Sequence, residues 1–115
     1  MGRMAGTEMI GSIVNVTVDR PLGTYHPEHP DLFYPVNYGY VAGVMAPDGE
    51  EQDAYILGVT RPVSSFTGRV AAVIHRKDDV EDKWVVVPEG LTLTDAEMLN
   101  QVYFQERFFD VEIIR

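Results

Sequence analysis

The sequence predicts a mainly β fold, a small and strongly curved sheet or barrel of about five strands with one helix packed against it. Three observations lead there. Short apolar runs recur with the two-residue alternation of half-buried strands. Turn-forming clusters of Pro, Gly and Asp separate them. A helical stripe appears only near the C-terminal end.

Taken in order, Ser12 to Val18 places Val14, Val16 and Val18 on one face, and Asp19-Arg20-Pro21-Leu22-Gly23 stops the strand. Tyr25 to Pro35 holds Pro27, Pro30 and Pro35, so an ordered but irregular excursion is expected. Tyr38 to Val44 resumes as a strand, Pro47-Asp48-Gly49 is a turn, and Ala54 to Val59 is the next strand. Gly68 introduces the apolar strand Arg69 to His75. The charged turn Asp78 to Asp82 then leads into Lys83 to Val87. Thr94-Asp95-Ala96-Glu97 has the pattern of a capping box. Behind it Met98, Leu99, Val102 and Tyr103 share a stripe that Phe109 extends, and the helix is expected to run from Asp95 to Phe109.

With 115 residues, 45% of them hydrophobic and 23% charged, the chain suits one globular domain, 1–115, with 1–9 as a flexible leading segment. No apolar run is long enough for a membrane span, no signal-peptide core follows the start, and there are no cysteines. A cytoplasmic location is therefore expected, with no membrane partner. The net charge of −9 disfavours a nucleic-acid partner. An acidic chain can still handle phosphates when divalent cations stand between carboxylates and ligand.

Three segments could carry chemistry. In Asp48-Gly49-Glu50-Glu51-Gln52-Asp53, the carboxylates of Asp48, Glu50 and Asp53 could converge at a strand mouth and hold a hard cation; a solvated acidic hairpin has the same appearance. In Asp78 to Lys83, strand alternation would put Glu81 and Lys83 on one face, one for a metal ion and one for a phosphoryl oxygen; a charged hairpin tip is the alternative. Phe33 to Tyr40 carries Tyr34, Tyr38 and Tyr40, whose hydroxyls can bind a polyanion or simply pack. His26 and His29 have the spacing of a metal pair but lack a third ligand nearby, and His75 reads as a structural residue. Ser64-Ser65 has no evident base partner, and no Walker A loop or dinucleotide fingerprint is present.

Together and in this order the segments resemble one family. Tyr34-Pro35-Val36-Asn37-Tyr38-Gly39-Tyr40, then Asp48 to Asp53, then the acidic run ending at Lys83 before Trp84-Val85-Val86-Val87-Pro88, and a closing aromatic-rich helix are similar to the soluble, Mg2+-dependent inorganic pyrophosphatases. The resemblance spans roughly residues 12 to 109. It implies a closed five-stranded OB-like barrel with a C-terminal helix, and hydrolysis of inorganic diphosphate by metal-activated water. It further implies Mg2+, with Mn2+ as the alternative, bound by Asp48, Glu50 and Asp53, and Glu50 as the base. Two further acids would come from Asp78, Asp79, Glu81 and Asp82, the pair assigned being Asp79 and Glu81. Tyr38 and Lys83 would bind phosphate and serve catalysis, with Arg20 as a further phosphate ligand. Homo-oligomers are expected by the same analogy.

Two departures stand out. The stretch between the first strand and Tyr34 is short and carries no lysine, and Phe104 to Phe109 lacks the Tyr-Lys pair with which the family's terminal helix grips phosphate. The compensating cations would be Arg20, Arg76 or Arg107. The alternative functions are a catalytically weakened homologue that binds metal or a phosphorylated ligand, and an enzyme acting on an organic diphosphate.

Overall fold

A computed structural model describes residues 7–79 and 81–115. After a 3-10 turn at Thr7–Met9 come β1 (Ile13–Arg20), β2 (Asn37–Met45), β3 (Glu51–Ile56), β4 (Ser65–Arg76), β5 (Asp82–Val87), α1 (Asp95–Glu106) and β6 (Val111–Ile114). The strand order is β1-β2-β3-β5-β4-β6, and β1 also pairs with β4. Five strands thus close a mixed barrel, with β6 added outside on β4. Every pairing is antiparallel except β3 with β5. This is the five-stranded barrel and helix the sequence predicts.

Alternation sorts the side chains into two apolar layers. Val16, Val41, Ala54, Ile56, Val70, Val73, Trp84 and Val86, drawn from all five staves, fill the barrel. Tyr38, Tyr55, Ala72, Ile74, Val85 and Val87 face outward and pack with Met98 and Val102 of α1. A bulge between Val70 and Ala72 changes the phase of β4, so Ala71 and Ala72 both reach the outer layer.

The helix begins as expected. Thr94 Oγ1 accepts the Glu97 amide at 3.1 Å and Glu97 Oε1 accepts the Thr94 amide at 2.8 Å. It ends at Glu106 rather than Phe109, because the chain turns where the Phe109 amide bonds the Glu106 carbonyl. The buried stripe is narrower than the sequence suggests. Met98 and Val102 are buried, whereas Leu99 and Tyr103 are 38% and 62% exposed. The third member of the stripe, four residues past Val102, is Glu106, buried at 3% exposure.

Two further differences have local causes. β3 starts at Glu51 rather than Ala54, because Gln52 is buried and its amide donates to the Asp82 carbonyl at 2.8 Å. Of the leading segment expected to be flexible, 1–6 lie outside the described residues, and 7–9 form the 3-10 turn. Gly39 sits in β2 opposite Val18, where any Cβ would overlap the Thr17 carbonyl. Gly39→Ala should therefore destabilise the barrel by about 1–3 kcal/mol, read as a shift in urea midpoint at unchanged slope.

Candidate functional site

The outer face of the barrel, where the C-terminal end of α1 and the 21–36 excursion meet it, holds an open cavity of about 620 Å³. Register accounts for what lines it. Tyr38 pairs with Tyr55, Tyr40 with Asp53 and Ile74 with Lys83, so these side chains share the outward face with Arg76. Asp53, Glu81, Lys83, Tyr38, Arg76 and Arg20 all line the cavity. Arg107, Phe108 and Phe109 close it from the end of α1, and His26, His29 and Asp31 from the excursion.

Lys83 is the centre of the charged cluster. Its Nζ donates to Asp53 Oδ2 at 2.5 Å and to Glu81 Oε1 at 2.6 Å, and lies 5.6 Å from the centre of the Tyr38 ring. Burial by itself would depress its pKa. Attraction to Tyr38, Asp53 and Glu81 outweighs burial and raises it above the usual lysine value. At neutral pH Tyr38 is an un-ionised phenol, pushed up chiefly by burial, so the carboxylates are the charges that hold the ammonium.

A hydrogen-bonded arc through buried Tyr34, Tyr55 and Glu106 links the cavity-lining Arg20, Gln105 and Arg76. Arg20 donates to Tyr34 Oη at 3.1 Å, Tyr34 to Gln105 Oε1 at 2.9 Å, Gln105 to Tyr55 Oη at 2.7 Å and Tyr55 to Glu106 Oε2 at 2.5 Å. Arg76 closes it with two bonds to Glu106, at 2.9 and 2.8 Å. Each donor meets an acceptor in one consistent direction, which fixes the Gln105 amide. The Arg76 guanidinium also lies 3.7 Å over the Phe109 ring and 3.7 Å from Glu81 Oε1. Phe109, expected on the helix stripe, instead covers this arginine.

The sequence-predicted residues divide into two groups. Asp53, Glu81, Lys83, Tyr38 and Arg20 meet at the cavity. Asp48 and Glu50 do not line it; they sit exposed in the β2–β3 turn, where Asp48 Oδ1 accepts the Glu50 amide at 3.0 Å. The cause is a break in register between Val41 and Met45, at which Gly43 adopts a positive φ and its amide donates to Glu51 at 3.0 Å. The hairpin thereby separates Asp48 and Glu50 from Asp53. Asp79 is not among the lining residues either; its carboxylate lies 3.8 Å from Arg76.

Sequence reasoning missed Tyr55, Gln105 and Glu106. The available signal was an acid at the third position of the Met98-Val102 stripe, where an apolar residue is the norm. His75 is held by Asp82 at 2.8 Å and does not line the cavity.

Among the described residues no group of three His, Cys, Asp or Glu could hold a metal ion by itself. Asp53 and Glu81, roughly one-third exposed and joined through Lys83, are oxygen donors suited to a hard cation. Such a pair fits Mg2+ completed by water and substrate oxygens, which is how that ion is commonly bound in phosphate sites. Among the described residues no helix is long and apolar enough to cross a membrane.

The architecture is that of the inorganic pyrophosphatase fold. The inorganic pyrophosphatase of Ehrlichia chaffeensis matches with a TM-score of 0.66 at 18% identity, over 96% of this chain and 90% of that one. That of Coxiella burnetii matches with a TM-score of 0.64 at 20% identity, over 90% and 84% respectively. That of Helicobacter pylori gives 0.62 at 18% identity, over 88% and 81%. No protein-family model and no curated protein matches the chain.

Proposed function

We propose that the protein is a divergent inorganic pyrophosphatase that hydrolyses inorganic diphosphate to two phosphates with Mg2+. The observation that carries this reading is one cavity, on the outer face of a pyrophosphatase-like barrel, lined by Arg20, Arg76, Lys83 and Arg107 together with Asp53, Glu81 and Tyr38. The arginines answer the main objection raised by the sequence, the loss of the family's other phosphate-binding cations.

Asp53 and Glu81 would hold the cation. When bound, Mg2+ supplies Lewis acidity toward a phosphoryl oxygen and toward water. Lys83 and Tyr38 bind one phosphate, and Arg20 and Arg76 the other. Asp53 engages Lys83 through Oδ2, which leaves Oδ1 for the cation; as water adds to one phosphorus, its proton passes to a neighbouring water. The bridging P–O bond breaks, and its electron pair leaves on the second phosphate. Catalysis of this kind rests mainly on positioning and charge.

The test is phosphate release from diphosphate with and without Mg2+, comparing Asp53→Asn, Glu81→Gln and Glu50→Ala. Metal-stimulated release should fall about tenfold or more in the first two and stay within a factor of about two in Glu50→Ala. Absence of release at any Mg2+ concentration would remove the enzyme reading. A selective loss in Glu50→Ala would instead place the base at the hairpin. The cavity volume and the exposed Phe108 on its rim favour a second reading, an organic diphosphate whose apolar portion rests on that ring. A panel of diphosphate compounds in which only inorganic diphosphate is turned over would exclude it.

A further inference from the structure

Two of the fixed cations of the cavity are already paired with carboxylates. Lys83 is shared between two carboxylates, Arg76 is paired with Glu106, and Arg20 bonds Tyr34. Arg20, on a neutral phenol, and Arg107 remain to meet an entering phosphate, and any further donor on the cavity wall would add to them. The short excursion before Tyr34, whose lack of lysines marks the chain as unusual, places two imidazoles against that same space.

The excursion is built to hold them there. A bridge joins Tyr25 to Phe33, the His26 amide donates to the Leu32 carbonyl at 2.9 Å, and the Leu32 amide donates to the His29 carbonyl at 2.8 Å. The His26 and His29 rings are 4.7 Å apart, and His26 stacks on Tyr34 at 6.4 Å. His26 Nδ1 accepts the Glu28 amide at 3.0 Å. In the neutral ring the proton therefore sits on Nε2, which leaves an N–H donor for a ligand.

We propose that His26, with His29 beside it, is a phosphate-binding group of this cavity that takes up a proton when a phosphate enters. The inference rests on the reading of the cavity as a phosphate site and adds a ligand pair to it. The charges around the pair are Arg20 and Asp19 from β1, Glu28 and Asp31 within the excursion, and Arg107 from the end of α1. Tyr34 lies behind His26 as an un-ionised phenol, its pKa raised by burial. Burial first, then Arg20 and His29, hold the His26 pKa below its usual 6.5, with Glu28 opposing them. Without ligand the ring is thus neutral at neutral pH. A phosphate dianion beside it favours the imidazolium and raises that pKa. The gain in binding is complete below the ligand-free pKa and disappears as pH rises through the ligand-bound one.

The experiment is an NMR titration of the histidine ring protons, with and without saturating inorganic phosphate. The His26 midpoint should rise by about one pH unit, corresponding to about tenfold tighter binding at the acid end. The His75 signal, outside the cavity, should not respond. His26→Gln should weaken phosphate binding about tenfold at the acid end and flatten its pH dependence. Phosphate binding that leaves the His26 midpoint unmoved would overturn the proposal while the cavity remains a phosphate site. Absence of phosphate binding by calorimetry would overturn both.

Discussion

Lys83→Met should lower diphosphate hydrolysis by about 10²–10³-fold, with the loss mainly in kcat. Methionine keeps the buried stem, so the barrel should survive while the cation shared by Asp53 and Glu81 disappears. The two carboxylates would then repel one another, a repulsion a divalent ion relieves. Mg2+ binding measured by calorimetry should accordingly be unchanged or tighter as turnover collapses. A parallel loss of metal affinity would mean that Lys83 only holds the carboxylates in place. The ion pair has its own pH signature. Because its folded-state pKa is raised, Lys83 contributes stability that is fully present below the usual lysine value of 10.5. That contribution is lost only as pH rises through the higher folded value.

The largest effect on stability should come from Glu106→Gln. Glu106 is 3% exposed, and it accepts two bonds from Arg76 and one from Tyr55. Neutralising it leaves the buried Arg76 charge with only its longer contacts to Glu81 and Asp79, at 3.7 and 3.8 Å, a change that costs about 3 kcal/mol. The midpoint of thermal unfolding should fall by more than about 10 °C. The double variant Arg76→Met/Glu106→Leu should recover much of that loss, since replacing both members of a buried pair removes the desolvation penalty along with the attraction. If the double variant is as unstable as the single one, the arc from Arg20 to Arg76 is held by packing rather than by charge.

Much of this was legible in the sequence. Alternation exposed β1 through Val14, Val16 and Val18, of which Val16 is fully buried and its neighbours half-buried. The Thr94-to-Glu97 spacing located the start of α1 to the residue. Period-two reasoning correctly put Glu81 and Lys83 on one face. What was not legible has physical causes. Linear spacing within Asp48 to Asp53 cannot reveal a bulge at Gly43, so three acids read as one cluster when only Asp53 faces the cavity. A buried glutamate on an apolar stripe looks like a break in the pattern until its partner is found, and Arg76 is thirty residues away. Strand β6 is four residues long and takes the edge of β4 at Val73 to Arg76, beyond Ser65 to Arg69 where β1 pairs.

The barrel's order of staves has one more consequence. β5 follows β4 in the chain yet lies between β3 and β4 in space. Before residues 82–87 are in place, β3-β2-β1-β4 is an open sheet with two free edges. β5 is the keystone, and it brings Lys83 with it. Closing the ring and delivering the cation between Asp53 and Glu81 are therefore one assembly step, so a chain caught short of it would lack a finished wall and a working pocket alike.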